Sequence, residues 1–209
     1  ALSIGFLGDW VYSNPVTVDM NYMGEIKMHP IADNMTSILS MAALIAFVVW
    51  RMRVRNIPLT ELGSLQLRRN DLIYGTVFLA LFIFLEEIYM LLLGLEMPEG
   101  FIEFMLSEPL ILGLISVIIV APIAEEFIFR GFLYSQLSRT KFGPWGAVTV
   151  SSLLWTIIHF QYEPLILVVL FGFGIFLGYI RMAYKSLSLP IALHAINNTF
   201  AFFMAYYFY

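Results

Sequence analysis

Six stretches of largely apolar residues, near 36–51, 72–95, 109–138, 145–161, 165–181 and 188–209, are separated by short segments that hold most of the charge. Nothing else in the chain limits the fold so strongly. Apolar runs of about 20 residues cross the roughly 30 Å hydrocarbon core of a bilayer as helices. A spanning segment must satisfy its own backbone in lipid, which leaves helices or a closed barrel. These runs are continuous rather than alternating, so helices are expected. Composition agrees, with 60% hydrophobic and 12% charged residues and a mean hydropathy of +0.84, against about 25% charged residues in soluble domains. The expected fold is an all-α polytopic membrane helix bundle of about six transmembrane helices, with polar residues converging in its interior. The chain has no cysteine, which excludes disulfides, thiolate metal sites and cysteine nucleophiles.

Charge placement suggests how the bundle is threaded. The loop after the first run carries Arg51, Arg53, Arg55, Arg68 and Arg69 against Glu61 and Asp71. Basic short loops stay in the cytoplasm. The next loop is acidic, with Glu96, Glu99, Glu103 and Glu108, and is expected outside; Arg139, Lys141, Arg181 and Lys185 then return to the inner side. Both termini are thereby expected outside the cell (inner) membrane. Residues 1–35 lack a basic n-region, and Asp9, Asn14, Pro15 and Asp19 interrupt any apolar core, so they do not read as a signal peptide. They read as an extramembrane or interfacial arm before a bundle over 36–209, with the alternative that the arm docks a partner membrane subunit. The lipid bilayer is an expected partner; nucleic acid is not.

The third run contains charges where hydrocarbon makes them costly: Glu125, Glu126 and Arg130, within Ala121 to Gly131. On a helix Glu126 and Arg130 stand at i and i+4 with the acid N-terminal, the favourable order for a pair. Glu125 is rotated by about 100° from Glu126 and is left facing elsewhere. The run is about 30 residues, roughly 45 Å as a helix, and Pro122 is its natural kink.

Spacing suggests what Glu125 faces. The turn after the third run centres near residue 142; counting about 17 residues back reaches Glu125 and about 17 forward reaches His159. An antiparallel pair of helices places the two at similar depth, with Trp155 one turn before His159 on the same face. The last run holds His194 and Asn198 at i and i+4, but counting from the inner loop leaves them roughly 6–12 Å shallower than Glu125. A carboxylate and an imidazole sharing a water can direct it at a carbonyl, and two donors on another helix can receive the resulting oxyanion. Peptide hydrolysis then needs neither cofactor nor metal. Spacing alone also permits a metal held by Glu125, His159 and His194, although no HExxH is present.

These residues resemble a known family. Glu125-Glu126-x-x-x-Arg130-Gly131, then Trp155-x-x-x-His159, then His194-x-x-x-Asn198, in that order, are similar to the three motifs of the CPBP family. These are the CAAX-protease and bacteriocin-processing membrane proteins, also called Abi, which include the type II CAAX prenyl endopeptidases. The resemblance covers about residues 105–205; Trp155 stands where the family pattern usually has Phe. It implies an intramembrane glutamic endopeptidase acting on a membrane-associated peptide. In it Glu125 activates water, His159 assists, His194 and Asn198 form the oxyanion hole, and Glu126 and Arg130 support the architecture. The other function class is a non-proteolytic subunit of the same fold docking through residues 1–35. A transporter is a weaker third reading, because no inverted repeat is visible. Glu86 and Glu87 are expected near the outer end of the second run, His29 as an exposed residue of the arm, and Gly174-x-x-x-Gly178 as a close helix contact.

Overall fold

A computed structural model of the chain describes residues 30–106 and 110–208, and all structural statements concern these residues. The arm over residues 1–29, with His29, lies outside them. Seven helices follow in order: α1 Pro30–Val54, α2 Arg69–Leu93, α3 Glu99–Met105, α4 Leu110–Leu137, α5 Gly143–Ile157, α6 Pro164–Tyr184 and α7 Ser188–Phe208. The all-α membrane bundle read from the sequence is the architecture found.

Each boundary has a local cause. Arg51 and Arg53 occupy the last turn of α1, where cations meet the helix dipole. Gly94 closes α2 in the left-handed region at φ 64°, a conformation that a Cβ disfavours. Pro144 and Pro164 stand in the first turns of α5 and α6, where a missing N–H costs nothing. Ser186 Oγ accepts the Leu189 amide at 3.1 Å at the start of α7, a side-chain cap.

Four helices are long and apolar enough to cross a membrane: α1 from Asn34, α2, α4 and α6. The other two expected spans, α5 and α7, are helices as well and fall short of that mark in length or apolarity. At 15 residues, α5 is only about 22 Å long. In α7, His194, Asn197 and Asn198 dilute the apolar run. The outer surface suits lipid: Phe78, Leu81, Phe84, Leu91 and Leu92 of α2 are all exposed, an apolar band that water would penalise. The chain is an integral membrane protein.

The kink expected at Pro122 takes the form of two π-helical turns, Ile115–Val120 and Phe127–Leu133, flanking the α-helical segment Ala121–Glu126. Pro122 is the second residue after the first, where the residue without an N–H meets a change in the hydrogen-bond ladder. Arg130 lies in the second. The two π turns thus re-aim the Glu125–Glu126 segment relative to both ends of α4.

α5 and α6 form the closest pair of helices. A Cβ on Gly178 would lie 2.9 Å from Val148 Cγ1, and one on Gly174 would lie 3.0 Å from Ser152 Cβ and 3.3 Å from Arg130 Nη2. The paired glycines therefore face α5, as their spacing suggested. Leu79, Phe129, Trp155, Phe173, Leu177, Ile180, Leu189 and Leu193 build the core beside this contact. At the basic end, the Ser64 carbonyl accepts the Leu187 amide at 2.8 Å and the Ser64 amide donates to Lys185 O at 3.0 Å, stitching the α1–α2 loop to the α6–α7 turn. Arg181, expected only to mark a loop, is buried there. Its Nε donates to Arg130 O at 3.0 Å and its guanidinium lies 5.0 Å from the Tyr134 ring centroid.

Gly178→Ala should lower the thermal unfolding midpoint in detergent, at a cost of about 1–3 kcal/mol for overpacking. Gly172→Ala is the control, since its Cβ would rest 3.7 Å from the Phe82 ring and should leave the midpoint unchanged.

Candidate active site

Two adjacent glutamates on α4 meet different surroundings. Glu126 is fully buried, with Oε1 3.1 Å from Arg130 Nη1, and Arg130 is equally buried. Arg130 Nη2 donates to Gly174 O at 3.1 Å, and the guanidinium lies 5.1 Å from the Trp155 ring centroid, within cation–π range. The same Glu126 Oε1 lies 3.0 Å from His194 Nδ1. One carboxylate oxygen thereby joins α4 to α7, while Arg130 joins α4 to α6 and covers Trp155 of α5.

Glu125 is half-buried and faces a cavity of about 780 Å³. Its Oε2 accepts the Trp155 indole N–H at 2.6 Å. The Trp155 carbonyl lies 2.8 Å from His159 Nδ1. A carbonyl only accepts, so Nδ1 carries a proton, and in the neutral ring Nε2 is the acceptor. Trp155 thus holds the acid with its side chain and the imidazole with its backbone. Its ring lies 4.7 Å from that of His159. His159 itself lies two residues beyond the end of α5, in the turn before α6, rather than inside the helix as expected.

Glu125, His159, His194 and Asn198 all line this cavity, and neither Glu126 nor Arg130 does. His194 reaches the level of the adjacent glutamates, since its Nδ1 lies 3.0 Å from Glu126 Oε1. Phe173 and Trp155 set the His194 ring edge-on, at 5.4 and 5.9 Å. Asn198 Nδ2 donates to Val117 O at 2.9 Å, a carbonyl of the first π turn, and its second N–H remains available. Glu125, His159 and His194 do not gather as a metal-holding set, and no group of three His, Asp or Glu does so among the described residues.

The cavity holds further residues that sequence reasoning did not bring to it. Glu86 and Glu87, seven and six residues before the end of α2 at Leu93, also line the α2 wall of the cavity, Glu86 half-buried and Glu87 exposed. The adjacent-acid pattern is visible in the sequence; its place on the cavity wall is not, because that depends on which face of α2 meets the other helices. The sequence places Trp155 one turn before His159 and in the second motif, but does not show its bond to Glu125. Tyr162, in the turn, stacks on His159 at 6.2 Å. Burial pushes its phenol above the ordinary range; a hydrogen bond with Gln161 opposes this and the Glu125 charge adds to it. It is a neutral O–H donor at the cavity wall. Met90, Met97 and Met204 add flexible apolar surface.

Fold and site together define a helical membrane protein with a carboxylate–imidazole cavity built from α4, α5 and α7 and the turn after α5. Known proteins share this segment: residues 107–200 match the family described as type II CAAX prenyl endopeptidase Rce1-like, in agreement with the resemblance read from the three motifs. An uncharacterized 24.3 kDa protein of Escherichia coli is 35% identical over 91 residues, 43% of this chain and 42% of that one. YdiL of Bacillus subtilis (strain 168), provisionally named a membrane peptidase, is 32% identical over 110 residues, 52% of this chain and 43% of its own. The membrane-embedded CAAX protease MroQ of Staphylococcus aureus (strain USA300) is 32% identical over 89 residues, 39% of this chain and 34% of its own. The chain spans less than half the length of these curated relatives. No solved structure matches it significantly.

Trp155→Phe keeps an aromatic ring beside Arg130 and His159 but removes the donor to Glu125. If the indole positions that carboxylate, any hydrolysis measured on a membrane-associated peptide should fall about tenfold, close to one hydrogen bond's contribution, with the melting midpoint little changed.

Proposed function

We propose that the chain is an intramembrane glutamic endopeptidase that hydrolyses a peptide bond in a membrane-associated protein or peptide. One observation carries the reading. The groups that hydrolysis needs share a single cavity, and the ion pair that stabilises the helices is kept out of it. Glu125, fixed by the indole, takes a proton from water as the oxygen attacks the carbonyl carbon. The Nε2 lone pair of His159 orients the same water. Negative charge develops on the former carbonyl oxygen and meets the second Asn198 N–H and the His194 edge. Because His194 Nδ1 is engaged by Glu126, donation from Nε2 requires the doubly protonated ring. Collapse of the tetrahedral intermediate breaks the C–N bond, and the departing amine takes the proton held by Glu125.

The names of two relatives, a membrane peptidase and a CAAX protease, support a peptidase over a non-proteolytic subunit. In this reading the basic end of the bundle faces the cytoplasm of a cell membrane. The methionine and aromatic lining favours a substrate that is apolar beside the scissile bond.

Glu125→Gln should lower the cleavage rate by about 10²–10⁴-fold, the usual contribution of a general base, with the fold intact by circular dichroism and gel filtration. Asn198→Ala should cost about 10²–10³-fold, as for an oxyanion donor. Cleavage that survives Glu125→Gln rejects the mechanism, and chelator inhibition reversed by zinc would replace it with a metal-dependent one.

A further inference from the structure

At the basic end of the bundle, α1 and α4 enclose a recess of about 330 Å³ lined by Arg51, Arg55, Ile57, Phe132 and Gln136. We propose that it binds the phosphate of an anionic phospholipid headgroup. The proposal is independent of the peptidase reading, since the recess shares no residue with the catalytic cavity.

Charge is the first observation. Arg51 and Arg55 are i and i+4, so their guanidiniums project from one face, where like charges repel. Neither has a carboxylate partner among the described residues. Other arginines of this bundle do find oxygen partners: Arg139 pairs with Glu61 at 2.8 Å, Arg130 with Glu126, and Arg181 reaches the carbonyl of Arg130. Arg53, Arg68 and Arg69 also lack a carboxylate partner among the described residues; what sets Arg51 and Arg55 apart is that the two line one recess.

Position is the second. The apolar span of α1 ends at Val54, which puts Arg51 and Arg55 at headgroup depth, as expected for arginines that end a span. Nine of the 11 lysines and arginines of the chain lie at this end: Arg51, Arg53, Arg55, Arg68, Arg69, Arg139, Lys141, Arg181 and Lys185. A phosphodiester attracted there meets two forked donors suited to its oxygens. The Gln136 amide can bond a headgroup hydroxyl. Ile57 and Phe132 give an apolar floor for the glycerol and the first methylenes.

Packing is the third. Phe132 belongs to the π turn that contains Arg130, and Ile57 and Phe132 both pack against Val48, Met52, Leu62 and Leu187. A headgroup in the recess would bridge the end of α1 to the turn that carries Arg130.

The test uses the full chain in a neutral detergent, reading the melting midpoint during titration with dioctanoyl phosphatidylglycerol, dioctanoyl phosphatidylcholine or inorganic phosphate. Phosphatidylglycerol should raise the midpoint. In R51Q/R55Q the concentration needed should increase about 30-fold, given about a factor of five per arginine near a headgroup. R68Q/R69Q removes the same charge outside the recess and should respond within about a factor of three of the unaltered protein. Equal losses in the two double variants would overturn the proposal, leaving only a diffuse positive surface. Phosphatidylcholine acting at the same concentrations would overturn the requirement for an anionic lipid, and inorganic phosphate doing so would assign the recess to free phosphate. If R51Q/R55Q does not fold, R51K/R55K decides against R68K/R69K. Lysine keeps the charge and loses the fork, so a weaker response is expected in the first pair only, and equal responses would overturn the site.

Discussion

The fold turns on one carboxylate oxygen. Glu126 Oε1 receives both Arg130 and His194 in a region without water exposure. Arg130 extends the cluster to the Gly174 carbonyl, and the close approach of α5 and α6 at Gly174 and Gly178 brings that carbonyl within reach. A buried pair of this kind adds little net stability over apolar packing, yet removing one partner strands the other charge. Glu126 Oε2 and Arg130 Nε find no further partner among the described residues, so the cluster is not an optimum of stability. Its effect is positional: it fixes where α4, α6 and α7 stand relative to one another.

That placement makes the neighbouring residue available for chemistry. With Glu126 turned into the protein, Glu125 faces the cavity, and the Trp155 ring is clamped between the Arg130 guanidinium and His159. Trp155 then joins scaffold to site, touching the ion pair through its face, Glu125 through its N–H and His159 through its carbonyl. Asn198 is tied to the first π turn in the same way. The irregular turns of α4 are therefore part of how the cavity is assembled: straight α-helix would not present Val117 O, Glu125 and Arg130 in these directions.

Much of this was legible in the sequence, for identifiable reasons. Apolar runs bounded by arginines gave the helices, and i, i+4 spacing gave the Glu126–Arg130 pair. Equal counting from the turn near residue 142 brought Glu125 and His159 to one region. Local spacing could not show that His194 shares Glu126, because that contact joins residues 68 apart. Nor could it show that α4 changes its hydrogen-bond ladder twice, which is what spoils depth counting along a supposed regular helix. Nor could spacing along one run show that Glu86 and Glu87, near the end of α2, line the same cavity as Glu125. All six apolar runs are helical, and α5 and α7 differ from the other four only in length or apolarity.

The division of labour between the adjacent glutamates is the central claim, and thermal unfolding in detergent tests it directly when Glu126→Gln is compared with Glu125→Gln. Glu126→Gln strands a buried arginine and should unfold about 10 °C lower, given about 3–5 kcal/mol for such a loss and about 2–4 °C per kcal/mol in a chain of this size. Glu125→Gln should unfold within a degree or two of the unaltered protein. Equal midpoints, or a larger loss for Glu125→Gln, would contradict the account.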